Sequence, residues 1–137
     1  VYAEDPDTFT YSIHQQNNYP PKQRGDFDRG LDDGLDDETY LKILARDLED
    51  VDSRFPSPDL VCYVGGVDPH RDDALGGLEL TDDGIARRDR LVLGRYIERS
   101  IPVAVFLAGG YAPTPRRTAE LHLNAARACE EASQRPS

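Results

Sequence analysis

The chain has 137 residues, 38 % of them hydrophobic and 31 % charged, with 26 acidic against 16 basic side chains and a formal charge of −10. That length and balance suit one folded domain with a single core and argue against a disordered chain. The acidic surplus argues against nucleic acid, whose phosphates demand clustered Lys and Arg. It would draw cationic ligands such as lysine side chains or polyamines, and it serves plain solubility equally well.

Phe9 to Ile13 is a short β-prone run, followed by a polar, proline-bearing loop from His14 to Pro21. Asp26 to Asp37 is acidic and contains glycine, the composition of a loop or an edge segment. Leu41, Leu44, Leu48, Val51 and Phe55 then recur at steps of three and four and draw the apolar stripe of a helix. Asp36, Asp37 and Glu38 crowd its start, where capping and the helix dipole favour carboxylates, and Pro56 and Pro58 end it.

Leu60 to Val64 is a continuous apolar run, the pattern of a strand buried on both faces. A glycine-rich loop, Gly65 to Gly77, follows it. Thr81, Asp82 and Asp83 open a second helix with Ile85, Val92 and Tyr96 on one side. Pro102 to Ala108 is the next buried strand and runs into Gly109-Gly110-Tyr111. Thr114-Pro115 starts the last helix, with a hydroxyl at the cap and proline at the first helical position. Leu121, Ala125 and Ala128 supply its inner stripe. Strands alternating with amphipathic helices predict an α/β fold, a parallel sheet flanked by helices.

No apolar run approaches the roughly 20 residues of a membrane span, and no stretch at the start has the makeup of a signal peptide. Cys62 and Cys129 stand far apart, and Cys62 reads as a small buried hydrophobe. The expected location is cytoplasmic, where a disulfide is not expected. The chain has no Met and starts at Val1, so it reads as a piece of something longer.

In an open parallel sheet, ligands bind at the carboxyl ends of the strands. Three unusual segments fall there: His14 to Pro21, Gly65 to Asp73, and Ala108 to Tyr111. Asp68 closely follows two glycines, so its carboxylate can be aimed back over the sheet as a metal ligand or base, or else simply cap a turn. The Tyr111 phenol can donate to an oxyanion, or pack. His70, Arg71, Asp72 and Asp73 read as loop and solvated charges. Asp26 to Glu38 is carboxylate-rich, but Gly30 occupies a ligand position, so it is no calcium loop. Arg24-Gly25-Asp26 is a chance tripeptide, and no G-x-S-x-G, phosphate loop or CxxC pair occurs.

Gly65-Gly66-Val67-Asp68 followed by Asp73-Ala74-Leu75-Gly76 resembles the Gly-x-Asp and Asp-x-Leu-Gly segment of the histone deacetylase superfamily. Phe106 to Tyr111 is similar to that family's strand and glycine-rich loop ending in the catalytic tyrosine, and Thr10 to His14 to the strand entering its tunnel loop. The resemblance implies an arginase/deacetylase-like α/β fold and zinc, or another divalent metal, as cofactor. It implies Asp68 as one metal ligand and Tyr111 as the oxyanion donor. Tyr19, with Pro20 behind it, would form the aromatic wall of the acyl tunnel, and Leu75 would stand at its mouth. Gly109 and Gly110 would border the acyl group. Ser12 and the carbonyl of Ile13 fall where the family holds a potassium ion. The implied reaction is hydrolysis of an acetylated lysine or acetylated polyamine: the metal polarises the acetyl carbonyl and acidifies a water, a histidine takes the proton, and Tyr111 steadies the oxyanion.

In the family pattern the other two zinc ligands come from an earlier Asp-x-His motif, and paired histidines also precede this region. The literal match in this chain, Asp68-Pro69-His70, already has its Asp in the later ligand position. His14, His70 and His122 do not stand where the paired histidines belong. The resemblance therefore implies residues 1–137 as the carboxy-terminal portion of one deacetylase domain, a partial domain that lacks its amino-terminal half, is inactive alone and is prone to associate through an open sheet edge. The alternative function is a catalytically inactive α/β binding or assembly module of the same fold.

Overall fold

The computed structural model describes residues 2, 5–18, 21 and 23–134. Four strands and three helices follow in the order β1 (Tyr11–Gln15), β2 (Phe27–Leu31), α1 (Asp37–Arg54), β3 (Val61–Gly66), α2 (Asp82–Ile97), β4 (Val103–Ala108) and α3 (Pro115–Ser133). The strands pair in parallel, as the alternation predicts, but as two pairs rather than one sheet: β1 with β2, and β3 with β4. Tyr11 stands opposite Phe27 in the first pair, and Val61 opposite Val103 in the second.

The helix starts follow from their sequences. Asp36 accepts the Thr39 N–H at 2.9 Å, Thr81 the Gly84 N–H at 3.1 Å and Thr114 the Arg117 N–H at 3.1 Å, with Pro115 in the first turn. Each side chain satisfies a donor that the first turn leaves without a partner, worth about 1 kcal/mol. Leu41, Leu44, Leu48 and Val51 of α1 are buried as the stripe requires, with Ile85, Val92 and Tyr96 of α2 and Leu121, Ala125 and Ala128 of α3. Phe55, at the end of the α1 stripe, is half-buried and stacks on Phe9 with ring centroids 6.0 Å apart.

Two expectations are corrected and one alternative is decided. Residues 27–31 form an edge strand, the second of the two readings given for Asp26 to Asp37, rather than a loop: Phe27 and Arg29 are half-buried and Leu31 is buried, an alternation that the surrounding aspartates obscure. β1 ends at Gln15 and β3 at Gly66, so His14, Gly65 and Gly66 belong to strands rather than to the loops after them. The β3–β4 pair is not covered on both faces. Helices α2 and α3 pack on each other and against this pair. Cys62, on the other face, is exposed, and Val64 and Phe106 are 63 % and 50 % exposed. An apolar run therefore marks both surfaces as fit for burial, while these residues supply a cover for only one.

The core joins Leu31, the stripes of α1 and α2, Leu121, and the loop residues Val67, Leu78 and Leu80. The segment between β3 and α2 is thus anchored by its own apolar side chains. Among the described residues, no helix is long and apolar enough to cross a membrane.

Candidate active site at the strand ends

The carboxyl ends of the strands meet around the segment 67–80. At the end of β1, the Gln15 amide donates to Asp33 Oδ1 at 2.6 Å and its oxygen accepts the Gly77 N–H at 2.9 Å. The turn after β2 joins through Gly34 N–H to the Gly77 carbonyl at 2.7 Å. From the β4 side, the Gly109 carbonyl accepts the Val67 N–H at 3.3 Å, and the Tyr111 carbonyl accepts the Ala74 N–H at 2.9 Å. Parallel pairing puts the carboxyl ends of paired strands on the same side, which is why segments distant in sequence gather at this rim.

Asp68 is exposed at this junction. A Cβ added at Gly66 would lie 2.6 Å from Asp68 Oδ1, and one at Gly109 would lie 2.8 Å from it. The carboxylate therefore rests on two bare backbones, one at the end of each strand. Gly109 and Gly110 take φ of 44° and 131°, values that disfavour any side chain and turn the chain sharply into Tyr111. Tyr111 and Leu75 are 61 % and 62 % exposed.

Below the glycines lies a buried polar group that periodicity does not reveal. Arg88 and Asp89, 5 % and 1 % exposed, sit side by side on α2. Arg88 donates to the Gly66 carbonyl at 2.6 Å and to Asp89 Oδ1 at 3.0 and 2.8 Å. The Tyr63 hydroxyl adds a further bond to Asp89 at 2.6 Å. Burial works against the charge on Arg88, but the Asp89 carboxylate beside it outweighs that and holds the guanidinium charged. Burial pushes the Tyr40 phenol up; Arg88 opposes this, and the Asp68 carboxylate adds to it.

His70 and Asp73 are not solvated: they are 1 % and 9 % exposed. His70 accepts the Asp72 N–H at 3.0 Å and reaches Asp82 Oδ1 at 3.1 Å through its other ring nitrogen. The Arg117 guanidinium, first, and His70 hold the Asp82 carboxyl well below its usual range, at about 2. Asp73 Oδ1 accepts the N–H groups of Leu75 and Gly76 at 2.9 and 2.8 Å, and Oδ2 accepts that of Tyr111 at 2.6 Å. A count of loop charges cannot find this role, because the partners are backbone groups and one of them is remote in sequence. Arg71 and Asp72 are exposed, as expected.

Ser12 lies exposed on β1 with its hydroxyl 2.9 Å from His14 Nδ1, and Ile13 is half-buried in register with Arg29. Tyr19 and Pro20 fall outside the described residues. A groove of about 370 Å³ opens between β2 and α1, lined by Arg29, Leu35, Thr39, Ile43, Arg46 and Asp47 among others. None of Asp68, Leu75, Gly109, Gly110 or Tyr111 lines it.

A divalent metal tests this geometry. Asp68 fits the part of one ligand, being an accessible carboxylate cradled where a Cβ would intrude. A catalytic zinc site normally takes three protein ligands, and no three His, Cys, Asp or Glu side chains gather into such a set among the described residues.

Residues 1–127 match the histone deacetylase domain family. An uncharacterized protein of Picosynechococcus sp. is 50 % identical over 113 residues, which cover 82 % of this chain and 37 % of that protein. Histone deacetylase 2 of Arabidopsis thaliana is 38 % identical over 84 residues, 61 % of this chain and 21 % of that one. The fold is similar to that of an acetylpolyamine aminohydrolase from Burkholderia pseudomallei (TM-score 0.73, 23 % identity, 96 % of this chain and 39 % of that one). It is also similar to the histone deacetylase Clr3 (TM-score 0.74, 22 % identity, 99 % and 24 %). The chain spans well under half the length of these relatives, and its parallel strands flanked by helices form part of a deacetylase-like α/β domain. By the match across nearly all of its length, the chain belongs to the histone deacetylase domain family.

Proposed function

We propose that these residues form the carboxy-terminal portion of a single deacetylase domain, and that the whole protein hydrolyses the acetyl amide of an acetylated lysine or acetylated polyamine. The observation that carries this reading is the seating of Asp68 on Gly66 and Gly109, next to the turn that presents Tyr111. The open face of the β3–β4 pair, with Val64 63 % exposed, supports the partial-domain reading, since an apolar strand surface of this kind ordinarily packs on further structure.

In this reading Asp68 is one ligand of a divalent metal, zinc in the first instance, and the remaining ligands and the general base come from outside residues 1–137. When bound, such a metal polarises a carbonyl and acidifies a water. This chain's own groups do the rest. Tyr111 donates its phenolic hydrogen bond to the developing oxyanion. Gly109 and Gly110 leave room for the acetyl group, and Leu75 and Tyr19 contribute apolar walls to the acyl-lysine channel. Ser12 and the Ile13 carbonyl belong to a potassium site. The acidic field of the chain favours a cationic amine as product and substrate backbone. The location proposed for the whole protein is cytoplasmic.

The test uses the full-length protein with an acetyl-lysine peptide and a mono-acetylated polyamine as substrates. Tyr111→Phe should slow turnover by ~10²–10³, the usual loss for one oxyanion donor, with bound metal unchanged. Asp68→Asn should lower bound metal as well as turnover. Metal lost from Tyr111→Phe, or turnover indifferent to it, would refute the assigned role. Wild-type protein that binds metal but turns over neither substrate would point to the inactive binding module instead. The isolated 137 residues are expected to be inactive.

A further inference from the structure

We infer that Asp73 is the positioning residue for Tyr111, a buried carboxylate that fixes the main chain of the oxyanion donor while leaving its phenol free. The inference rests on the role proposed above for Tyr111.

Two backbone contacts bracket Tyr111. Its N–H donates to Asp73 Oδ2 at 2.6 Å, and its carbonyl accepts the Ala74 N–H at 2.9 Å. Both partners lie in the 67–80 segment, so Tyr111 is held by the loop that carries Asp68 rather than by its own strand, which ends at Ala108. The intervening Gly109 and Gly110 have the widest backbone freedom of any residue and cannot by themselves hold Tyr111 in one place. The side chain of Tyr111 is 61 % exposed, so packing does not orient it strongly either. The anchor must therefore act through the backbone, and Asp73 is the side chain that does so.

The chemistry of the clamp requires a carboxylate. Oδ2 serves Tyr111 while Oδ1 serves the Leu75 and Gly76 N–H groups at 2.9 and 2.8 Å, so both oxygens act only as acceptors. An Asn would present an NH₂ to one of these N–H sets, donor against donor. A Glu would carry its carboxylate one methylene too far. Asp73 is 9 % exposed, which keeps water from substituting for it easily. A displacement of about 1 Å at a catalytic group costs ~10²-fold in rate, so slackening of this clamp should register mainly in kcat.

The experiment is a double-mutant cycle on the full-length protein with an acetyl-lysine peptide, together with hydrogen exchange of the 105–114 segment. Asp73→Asn should lower kcat by ~10²-fold, leave KM and bound metal near wild type, and speed exchange at the Tyr111 amide. Tyr111→Phe, costly in the wild type, should cost less than about threefold on the Asp73→Asn background, because an unplaced phenol has little left to lose. Asp73→Ser, which keeps a short acceptor without the second oxygen, repeats the cycle if the Asn variant does not fold. Full additivity of the two substitutions, with only thermal stability lowered, would reduce Asp73 to a structural loop residue and overturn the proposal alone. A wild type indifferent to Tyr111→Phe would overturn both this proposal and the role of Tyr111.

Discussion

Replacing Arg88 by Met tests whether the charge pair under the glycines is an essential part of the fold. The substitution removes two bonds to Asp89 and one to the Gly66 carbonyl, in a place where Asp89 is 1 % exposed. Breaking a buried pair from one side typically costs about 3–5 kcal/mol, because the remaining charge cannot reach water. The Gly66 carbonyl, left without its donor, adds about 1 kcal/mol or more. A loss of about 4–6 kcal/mol should lower the melting temperature of the full-length protein by ~8–24 °C, at ~2–4 °C per kcal/mol for chains of this order of size. The double variant Arg88→Met with Asp89→Leu removes both charges and should be less damaging than the single one, leaving neutral groups, Tyr63, Tyr40 and the Gly66 carbonyl, short of a partner. Thermal unfolding followed by circular dichroism decides the matter. A single variant melting within about 2 °C of wild type, or a double variant as poor as the sum of the singles, would refute the claim that Arg88 and Asp89 stabilise the fold as a mutually dependent pair.

Three further outcomes are expected. Asp82 is depressed to about 2 against an ordinary 3.8, chiefly by Arg117; its stabilising contribution is present above pH 3.8 and lost as pH falls through about 2. Arg117→Gln should return the Asp82 carboxyl towards its ordinary value in a carboxyl NMR titration, and an unmoved titration would break the assigned cause. Gly110→Ala sets a Cβ against the Val67 side chain at a φ of 131°, so it should cost about 1–3 kcal/mol from backbone strain alone and slow turnover as the Tyr111 segment shifts. Cys62 lies exposed on the open sheet face, while burial pushes the Cys129 thiol up. In the full-length protein iodoacetamide should leave Cys62 largely unmodified, and its rapid alkylation would contradict the proposal that further parts of the domain cover that face.

The sequence by itself determined the local pieces. A helix start depends on a side chain and an N–H three residues on, so Asp36, Thr81 and Thr114 could be assigned their caps without tertiary knowledge. A helical stripe repeats within one element, so Leu41, Leu44, Leu48 and Val51 declared their burial. The two glycine-bearing motifs stood out because backbone demands leave a mark in residue type: a sharp turn before Tyr111, and at Gly66 the close approach of the Asp68 carboxylate.

The tertiary structure alone decided which remote groups touch. Strand β2 was left open between a loop and an edge segment because its alternation is short and flanked by aspartates, and its parallel pairing with β1 cannot be read from either segment. Asp73 and His70 look like any loop charges until the fold closes over them. Arg88 and Asp89 look like a solvated helix face until β3 and Tyr63 arrive above them. The physical reason is common to these four side chains: a polar or charged group is costly to bury without partners, and besides its local partners each needs one from a remote segment, Asp82 for His70, Tyr111 for Asp73, Gly66 for Arg88 and Tyr63 for Asp89, which no local pattern encodes.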